Sequence, residues 1–452
     1  MPRKLNVGLV TLGCDKNTVD MEYIAGLLAR GGCATVPLNP GEDGGGAVFD
    51  AVVVLTCGFI ADAKEQSVES VVEWAERKKQ TGMPRRLYVA GCLAQRHGVE
   101  LFGAVPEIDG MLGVGQMSRI ADMVREADAE RHLEVAASPR TDIAAVMPRR
   151  RIETGVHAYL KIADGCNHSC AFCAIPAMKG PYISVPREIL VEEARQLLRS
   201  GVRELNLVAQ DITVYGHDLY DAYRLPDLLG ELCALKGDFR VRCLYAYPGG
   251  INRSLLDAMA SLPKVARYLD MPIQHTDPGV LRAMRRPAAS ADIPALVQRI
   301  RRALPGVALR TTVLVGFPGE SPAAFRGLMR DLRNTAFEWL GAFSFSAEEG
   351  TPAARMDGQV PKRTRERRRA RVMEQQANIT AAFNASRVGC NVRVLVDSVD
   401  ARAGVAFCRS DSEAPEVDGI IRLRHRADVE PGQFLNARVV EADVYDVSAV
   451  AE

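Results

Sequence analysis

Between residues 6 and 104 one pattern recurs three times: a short apolar run, a turn of small residues, then a stretch of helical period. NVGLVTLG leads to MEYIAGLLAR, AVVVLTCGF to AKEQSVESVVEWAERKKQ, and RRLYVAGC to AQRHGVELF. Strands alternating with helices predict a parallel sheet with helices on its faces. A second series follows, with candidate strands YLKIADG, ELNLVAQD, VRCLYAYP, ARYLDMPIQ, LRTTVLVGF and LGAFSFS and helices such as EILVEEARQLLRSG and ADIPALVQRIRRAL. Six such units in about 200 residues suit a partial (β/α)6 barrel better than a complete eight-unit one, with its site at the carboxyl ends of the strands.

PKRTRERRRARVMEQQANITAAFNASR then reads as one long basic helix opened by proline. After Gly389 the helical period gives way to alternating runs, VRVLVDSV, AGVAFCRS, GIIRLRH and FLNARVVEADVYDV, which predict a small antiparallel, OB-like β-barrel. The expected fold is therefore multidomain α/β, divided at 1–136, 152–381 and 384–452, with AASPRTDIAAVMPRRRIETG as the first linker.

The 452 residues, 47% of them hydrophobic, supply enough apolar surface for two or three cores. A net charge of +1 removes any global argument for a nucleic-acid or membrane partner. At the N-terminus Asp15 and Lys16 interrupt the apolar run before a signal-peptide core is complete, and no run approaches the length of a membrane span. A cytoplasmic location is expected, where the eleven cysteines are reduced thiols or metal ligands.

Three of them, Cys166, Cys170 and Cys173, crowd the loop GCNHSCAFCAIP just after the first barrel strand. Thiolates hold iron–sulfur clusters and zinc. Three ligands on a four-iron cubane leave one iron open to a small molecule. The alternative is structural zinc with His168 as fourth ligand, although such sites usually arrive as two separated ligand pairs. Cys14, Cys57 and Cys92 are distant in sequence yet equivalent in position, each following an N-terminal strand beside a glycine, Gly13, Gly58 or Gly91. Carboxyl ends of neighbouring parallel strands line one crevice, so these three are expected to form a second three-cysteine site. Cys33, Cys233, Cys243, Cys390 and Cys408 have no such matching positions and are expected to pack.

C-x3-C-x2-C with Phe172 before the third cysteine resembles the radical S-adenosylmethionine (SAM) superfamily. With TLGCDKNTVDME, TCGFI and AGCLAQR ahead of it, the chain resembles the methylthiotransferases over essentially its whole length. The resemblance implies two [4Fe-4S] clusters, a TRAM domain as the β tail, and two uses of SAM. One SAM methylates a sulfur held at the cluster of Cys14, Cys57 and Cys92. Another binds the open iron at Cys166, Cys170 and Cys173 and is cleaved to a 5′-deoxyadenosyl radical. Gly316 and Gly319 of VGFPGE, with Gln210 and Asp211 of LVAQD, are candidate SAM or substrate contacts; the bland readings are a strand-ending turn and a helix N-cap by Asp211. Lys179 stands where the family often has arginine, and ISVPRE departs from its Ser-Arg pattern, which leaves Arg187 without a role.

TLGCDKN, KIADGCNHSCAFCAIP, LVAQDITVYGHDLY, YLDMPIQH and RSDSEAPEVDG are similar to the RimO type, which acts on an aspartate side chain of the twelfth small-subunit ribosomal protein. In LVAQDITVYG, Ile212 replaces a frequent threonine. The partners so implied are that protein, free or in the subunit, a reductant such as flavodoxin or ferredoxin, and a sulfur donor, with the chain a monomer. Charge gives a separate argument: seven basic against twelve acidic residues follow Gly389, the wrong sign for a barrel tracking phosphates and a suitable one for a basic protein. The loop RSDSEAPEVDG, with Asp411, Glu413, Glu416 and Asp418, is the expected docking patch, while KRTRERRRAR pulls toward RNA or is a solvated helix face. The rivals are the same chemistry on transfer-RNA adenosine and a non-catalytic zinc or iron–sulfur scaffold.

Overall fold

The computed structural model describes residues 4–42, 47–126, 130–136, 148–286, 292–424 and 428–452. The linker expected at 136–155 lies largely outside them. The chain forms two compact units, Met1–Thr154 with Ala163–His168 and Cys173–Val185, and Gly155–Ile162 with Ser169–Phe172 and Pro186–Glu452.

The first unit is built on a parallel sheet of β1 (Asn6–Thr11), β2 (Ala34–Leu38), β3 (Ala51–Thr56), β4 (Arg86–Gly91), β5 (Gly110–Leu112) and β6 (His132–Glu134), in the order β2-β1-β3-β4-β5-β6. Every residue of β3 is buried, which is why AVVVLT reads as a continuous apolar run: both faces are covered. Val53 and Leu55 pack with Met21, Ile24 and Leu28 of α1 (Asp15–Arg30). Val52 and Val54 pack on the opposite face with Val71 and Trp74 of α2 (Ala61–Thr81) and Leu93 of α3 (Cys92–Ala104). The chain thus leaves β1 and β3 toward opposite faces, making the carboxyl ends of these adjacent strands the topological switch point, where open α/β sheets bind ligands. A short hairpin of β8 (Ala163–Asp164) and β9 (Ile183–Ser184) completes the unit.

The second unit holds an open parallel sheet of β7 (His157–Lys161), β10 (Glu204–Val208), β11 (Arg240–Cys243), β12 (Val265–Asp270), β13 (Ala308–Val315) and β14 (Trp339–Ser344), in the order β14-β13-β12-β11-β10-β7. These are the six strands of the expected partial barrel. The proline-opened helix Lys362–Ser386 follows. Within its basic run Arg363 and Arg367 are exposed, whereas Arg368 is buried and donates to the Glu320 carbonyl at 2.9 Å. The tail is a closed five-stranded barrel of β15 (Asn391–Asp400), β16 (Val405–Arg409), β17 (Ile421–Arg424), β18 (Phe434–Ala442) and β19 (Val447–Ala451), filled by Val394, Val396, Ile421, Leu423 and Val439.

The acidic loop is not the free docking patch its composition suggests. It closes on the amino-terminal end of the six-stranded sheet, opposite the end from which Gln210 and Gly316 emerge. Asp411 pairs with Arg240 at 2.9 Å, Glu413 with Arg387, and the Trp339 indole donates to the Ser412 carbonyl at 2.6 Å. Glu416 accepts from the Tyr159 hydroxyl at 3.0 Å, and Asp418 from the Tyr268 hydroxyl at 2.6 Å. Beneath the loop Glu204 is fully buried and meets Arg240 and Arg242 at 3.1 Å each and Arg409 at 2.8 Å. The four acidic residues therefore serve an internal contact, and the net charge of the tail says little about its partner.

Burial raises the Asp418 carboxyl to about 6. An unfolded aspartate sits near about 3.9, so between those values the folded chain keeps a proton that the unfolded chain has released, and stability falls as pH rises through this window. Asp418→Asn removes that slope. The stability gap between the native chain and this variant is expected to change by about 2 kcal/mol from pH 4 to pH 7, read by denaturant unfolding at each pH; a gap independent of pH would refute the assignment.

Candidate functional site

In the first unit the sheet register sets β1 beside β3 and β3 beside β4. Cys14 immediately precedes α1, Cys57 follows β3, and Cys92 opens α3, so all three stand at the carboxyl edge and two of them flank the switch point. Gly13 has φ +102°, and a Cβ there would lie 2.7 Å from the Cys57 Cβ and 3.1 Å from its Sγ. A Cβ on Gly58 would lie 2.8 Å from the Cys92 carbonyl oxygen. These contacts draw the three cysteines together in a way that side chains would prevent.

Cys57 and Cys92 are buried, while Cys14 is exposed. Burial pushes the Cys57 thiol up, and the Cys92 thiol up to about 12, against the opposing pull of the Lys179 ammonium. Such thiols resist ionisation in water but yield their protons to a metal, whose charge removes the burial penalty. Three close thiols, two shielded and one open at the edge, fit a metal cluster with an accessible corner.

The stem of the Cys166–Cys173 loop belongs to the same unit. The Cys166 amide donates to the Gly180 carbonyl at 3.2 Å, the Tyr182 amide to Asn167 Oδ1 at 2.9 Å, and the His168 amide to Cys166 Sγ at 3.4 Å. Helix Ile175–Lys179 leaves the loop, and its Met178 packs with Cys92 and Val114. Lys179 is 4% exposed and lies 3.2 Å from both Asp20 and Asp164. The sequence marked Lys179 only as a departure; the available signal was a lysine amid the apolar residues that follow Cys173.

The central part of the loop belongs to the second unit. Ala171 donates to the Met284 carbonyl at 3.0 Å and accepts from the Ala353 amide at 2.8 Å. Phe172, half-buried, packs with Val280, Leu281, Met284, Phe317 and Phe345. It is an anchor for the loop backbone. Arg286, buried, points Nη1 at Cys170 Sγ at 3.9 Å and stacks its guanidinium on Tyr247, 4.4 Å from the ring centre. Sequence reading passed over Arg286, which lies 116 positions from Cys170.

The remaining candidates emerge from the carboxyl ends of β10 and β13. Asp211 is a cap, as its bland reading had it: its carboxylate accepts from the Thr213 amide at 2.8 Å, the Thr213 hydroxyl at 2.6 Å and the Tyr247 amide at 3.4 Å. Gln210 precedes it and is half-buried. Gly316 has φ +76° in the turn after β13, and its amide is taken by the Glu320 carboxylate. The Gly319 amide donates to the Gly358 carbonyl at 2.9 Å, and nothing lies within 4 Å of where its Cβ would be. This turn is thus locked by its own chain, with open space only at Gly319.

Residues 160–332 match the radical SAM superfamily, residues 6–113 an uncharacterised protein family, UPF0004, and residues 388–451 a TRAM domain. A ribosomal protein uS12 methylthiotransferase RimO of Desulforudis audaxviator is 42% identical over 445 residues, covering 98% of this chain and 96% of that protein. Another RimO, from Anaeromyxobacter sp. strain K, is 42% identical over 438 residues, covering 97% and 91%. Among solved structures, the radical S-adenosylmethionine methyltransferase TsrM of Kitasatospora setae superposes with a TM-score of 0.61 at 15% identity, covering 78% of this chain and 77% of that one, a likeness of fold alone. Superfamily membership brings SAM and a [4Fe-4S] cluster. The chain belongs to the ribosomal protein uS12 methylthiotransferase family, RimO, and is a radical SAM enzyme.

Proposed function

We propose that this chain places a methylthio group on the β-carbon of an aspartate in the twelfth protein of the small ribosomal subunit. The observation that carries the reading is the pair of three-cysteine sets, one converging at the strand ends of the first unit and one in the loop after β7, in a chain similar to RimO proteins along its whole length. Cys166, Cys170 and Cys173 hold one [4Fe-4S] cluster, and Cys14, Cys57 and Cys92 hold a second. When bound, the clusters and SAM supply a methyl group, sulfur and a radical able to remove hydrogen from an unactivated carbon.

The protein's part is placement. Phe172 fixes the loop backbone, Asp211 holds the turn that carries Gln210, and Gln210 and Gly319 line the end of the sheet where SAM and substrate meet. Division at 1–136, 152–381 and 384–452 gives a domain for each of the three tasks: second cluster, radical chemistry and substrate recognition. A reductant such as flavodoxin or ferredoxin, a sulfur donor, a monomeric chain and a cytoplasmic location complete the reading. Among the described residues no helix is long and apolar enough to cross a membrane.

Mass spectrometry of small-subunit ribosomal proteins and of transfer RNA, from cells with and without this gene, tests the proposal. Loss of a methylthio group from an aspartyl peptide is expected. Its loss from an adenosine instead would leave the chemistry standing and overturn the substrate.

Gly13→Ala tests the second cluster. The added Cβ meets Cys57 at 2.7 Å and forces a non-glycine residue to φ +102°, a left-handed conformation costing about 1–2 kcal/mol. In a chain whose Cys166, Cys170 and Cys173 are alanine, this change is expected to lose most of the remaining iron. Full retention would separate Gly13 from the metal.

A further inference from the structure

Lys179 is a buried cation that the chemistry above does not use. Its ammonium lies 3.2 Å from Asp20 Oδ2 and 3.2 Å from Asp164 Oδ2, and the two carboxylates are themselves buried. The three residues come from three places. Asp20 is on α1, six positions after Cys14; Asp164 ends β8, two before Cys166; Lys179 ends the helix that begins two residues after Cys173. One ammonium therefore binds both flanks of the cysteine loop to the helix that Cys14 precedes.

A second contact makes the same connection without charge. Ala174, which precedes that outgoing helix, and Ile175 and Met178 on it pack with Cys92 and Val114. Backbone closes the stem below: Asp164 pairs with Ile183, Cys166 donates to Gly180, and the Pro181 carbonyl oxygen occupies the space a Cβ on Gly165 would need. Lys179 stays charged in this setting. Burial pulls it down, but Asp164, Asp20, Cys92 and Cys14 outweigh that pull and hold it well above the usual lysine range.

We propose that Lys179 is a positioning residue that latches the stem of the Cys166–Cys173 loop to α1 and sets a fixed positive charge beside Cys14 and Cys92, raising the reduction potential of the cluster they hold. The inference rests on the reading of Cys14, Cys57 and Cys92 as cluster ligands. Net charge and outer contacts around thiolate ligands are main determinants of iron–sulfur potentials. A lysine here differs from an arginine in being a compact charge that two carboxylates can share symmetrically.

The test uses the full chain with Cys166, Cys170 and Cys173 replaced by alanine and reconstituted with iron and sulfide, so that only the second cluster is present. Its midpoint potential is measured by redox titration followed by electron paramagnetic resonance, with Lys179→Met, Lys179→Arg or Asp164→Asn added. Lys179→Met is expected to move the midpoint to lower potential, Asp164→Asn to higher potential, and Lys179→Arg to leave it near the parent value. Opposite shifts from opposite charges are something that a merely structural role does not produce. Should Lys179→Met fail to fold, Asp164→Asn decides: an upward shift supports the proposal and an unmoved midpoint overturns it. Iron retained with both midpoints unmoved overturns it while leaving the second cluster intact. A parent chain that binds no iron removes the second-cluster reading itself, and the proposal with it.

Discussion

With Cys166, Cys170 and Cys173 replaced by alanine, formation of 5′-deoxyadenosine from SAM should fall to that of a protein-free control. The expectation is of complete loss because the three thiols lie within eight residues and every other cysteine belongs to a different place in the fold. The chain itself should survive the change. The stem is closed by the β8–β9 pair and by the Cys166 amide on Gly180, and the middle is held by Phe172 and by backbone bonds of Ala171 to Met284 and Ala353. None of these uses a sulfur atom as acceptor or donor. On the proposed two-cluster reading, bound iron should fall by about half, the share of one four-iron cluster. Deoxyadenosine formed at the native rate would reject the assignment of these cysteines, and an unfolded protein would show that the loop backbone depends on metal.

Glu204→Gln should lower stability by about 3–5 kcal/mol, the usual cost of breaking a buried ion pair by removing one partner. Burial alone would raise this carboxyl, but Arg242, Arg409 and Arg240 hold it well below the usual range. Without its charge three guanidinium groups face one another where water does not reach; Asp397 and Asp411 remain for Arg409 and Arg240, whereas Arg242, with no other carboxylate paired to it among the described residues, keeps the carbonyl oxygens of Asp411 at 2.6 Å and Ser410 at 3.2 Å and the face of the Tyr268 ring. The site joins the barrel strands β10 and β11 to the tail strand β16, so the expected phenotype includes faster proteolysis after Gly389. Denaturant unfolding and limited digestion measure the two effects. A change below about 1 kcal/mol, with digestion unaltered, would mean that the tail is held elsewhere. Acid should mimic the variant, since the contribution of a depressed carboxyl is complete above its unfolded value and disappears as pH falls through the folded one.

Much of this architecture was legible in the sequence for a physical reason: fully buried parallel strands are continuous apolar runs, and glycine turns punctuate them. The strands that Cys14, Cys57 and Cys92 follow have that form, whereas barrel strands such as β10 (ELNLV) and β11 (RVRC) carry polar residues among the apolar ones and were placed by their regular alternation with helices. β2 was missed because ATVPL contains a proline and is partly exposed at the sheet edge, and β5 because GML is three residues long. The tail was expected to hold five or so strands and holds five; the last segment, FLNARVVEADVYDV, covers β18 and stops where β19 begins. The larger misreading was of RSDSEAPEVDG. A sequence shows the sign of a charge but not whether its partner lies in another molecule or 150 residues away in the same chain, as Tyr268 does from Asp418. A signal did exist: Arg240 and Arg242, two positions apart in a buried strand, share a face and require a buried anion. The cysteine sets were recoverable because their geometry follows from strand ends, whereas Lys179, Asp20 and Asp164 meet through tertiary packing that no local pattern announces.

The two cysteine sets also differ in when they come into being. Cys166, Cys170 and Cys173 are neighbours in any conformation of the chain, so a thiol-seeking metal meets them as soon as they are synthesised. Cys14, Cys57 and Cys92 have no proximity until β1, β3 and β4 have paired in parallel register, a non-local event that is slow because long loops must close before it is rewarded. On the proposed two-cluster reading, metal loading at the strand ends would therefore follow folding of the first unit and report on its completion, while loading at the loop would not. On that reading, a chain in biogenesis would be competent to take iron at one place before the other, an order set by the spacing of the six cysteines.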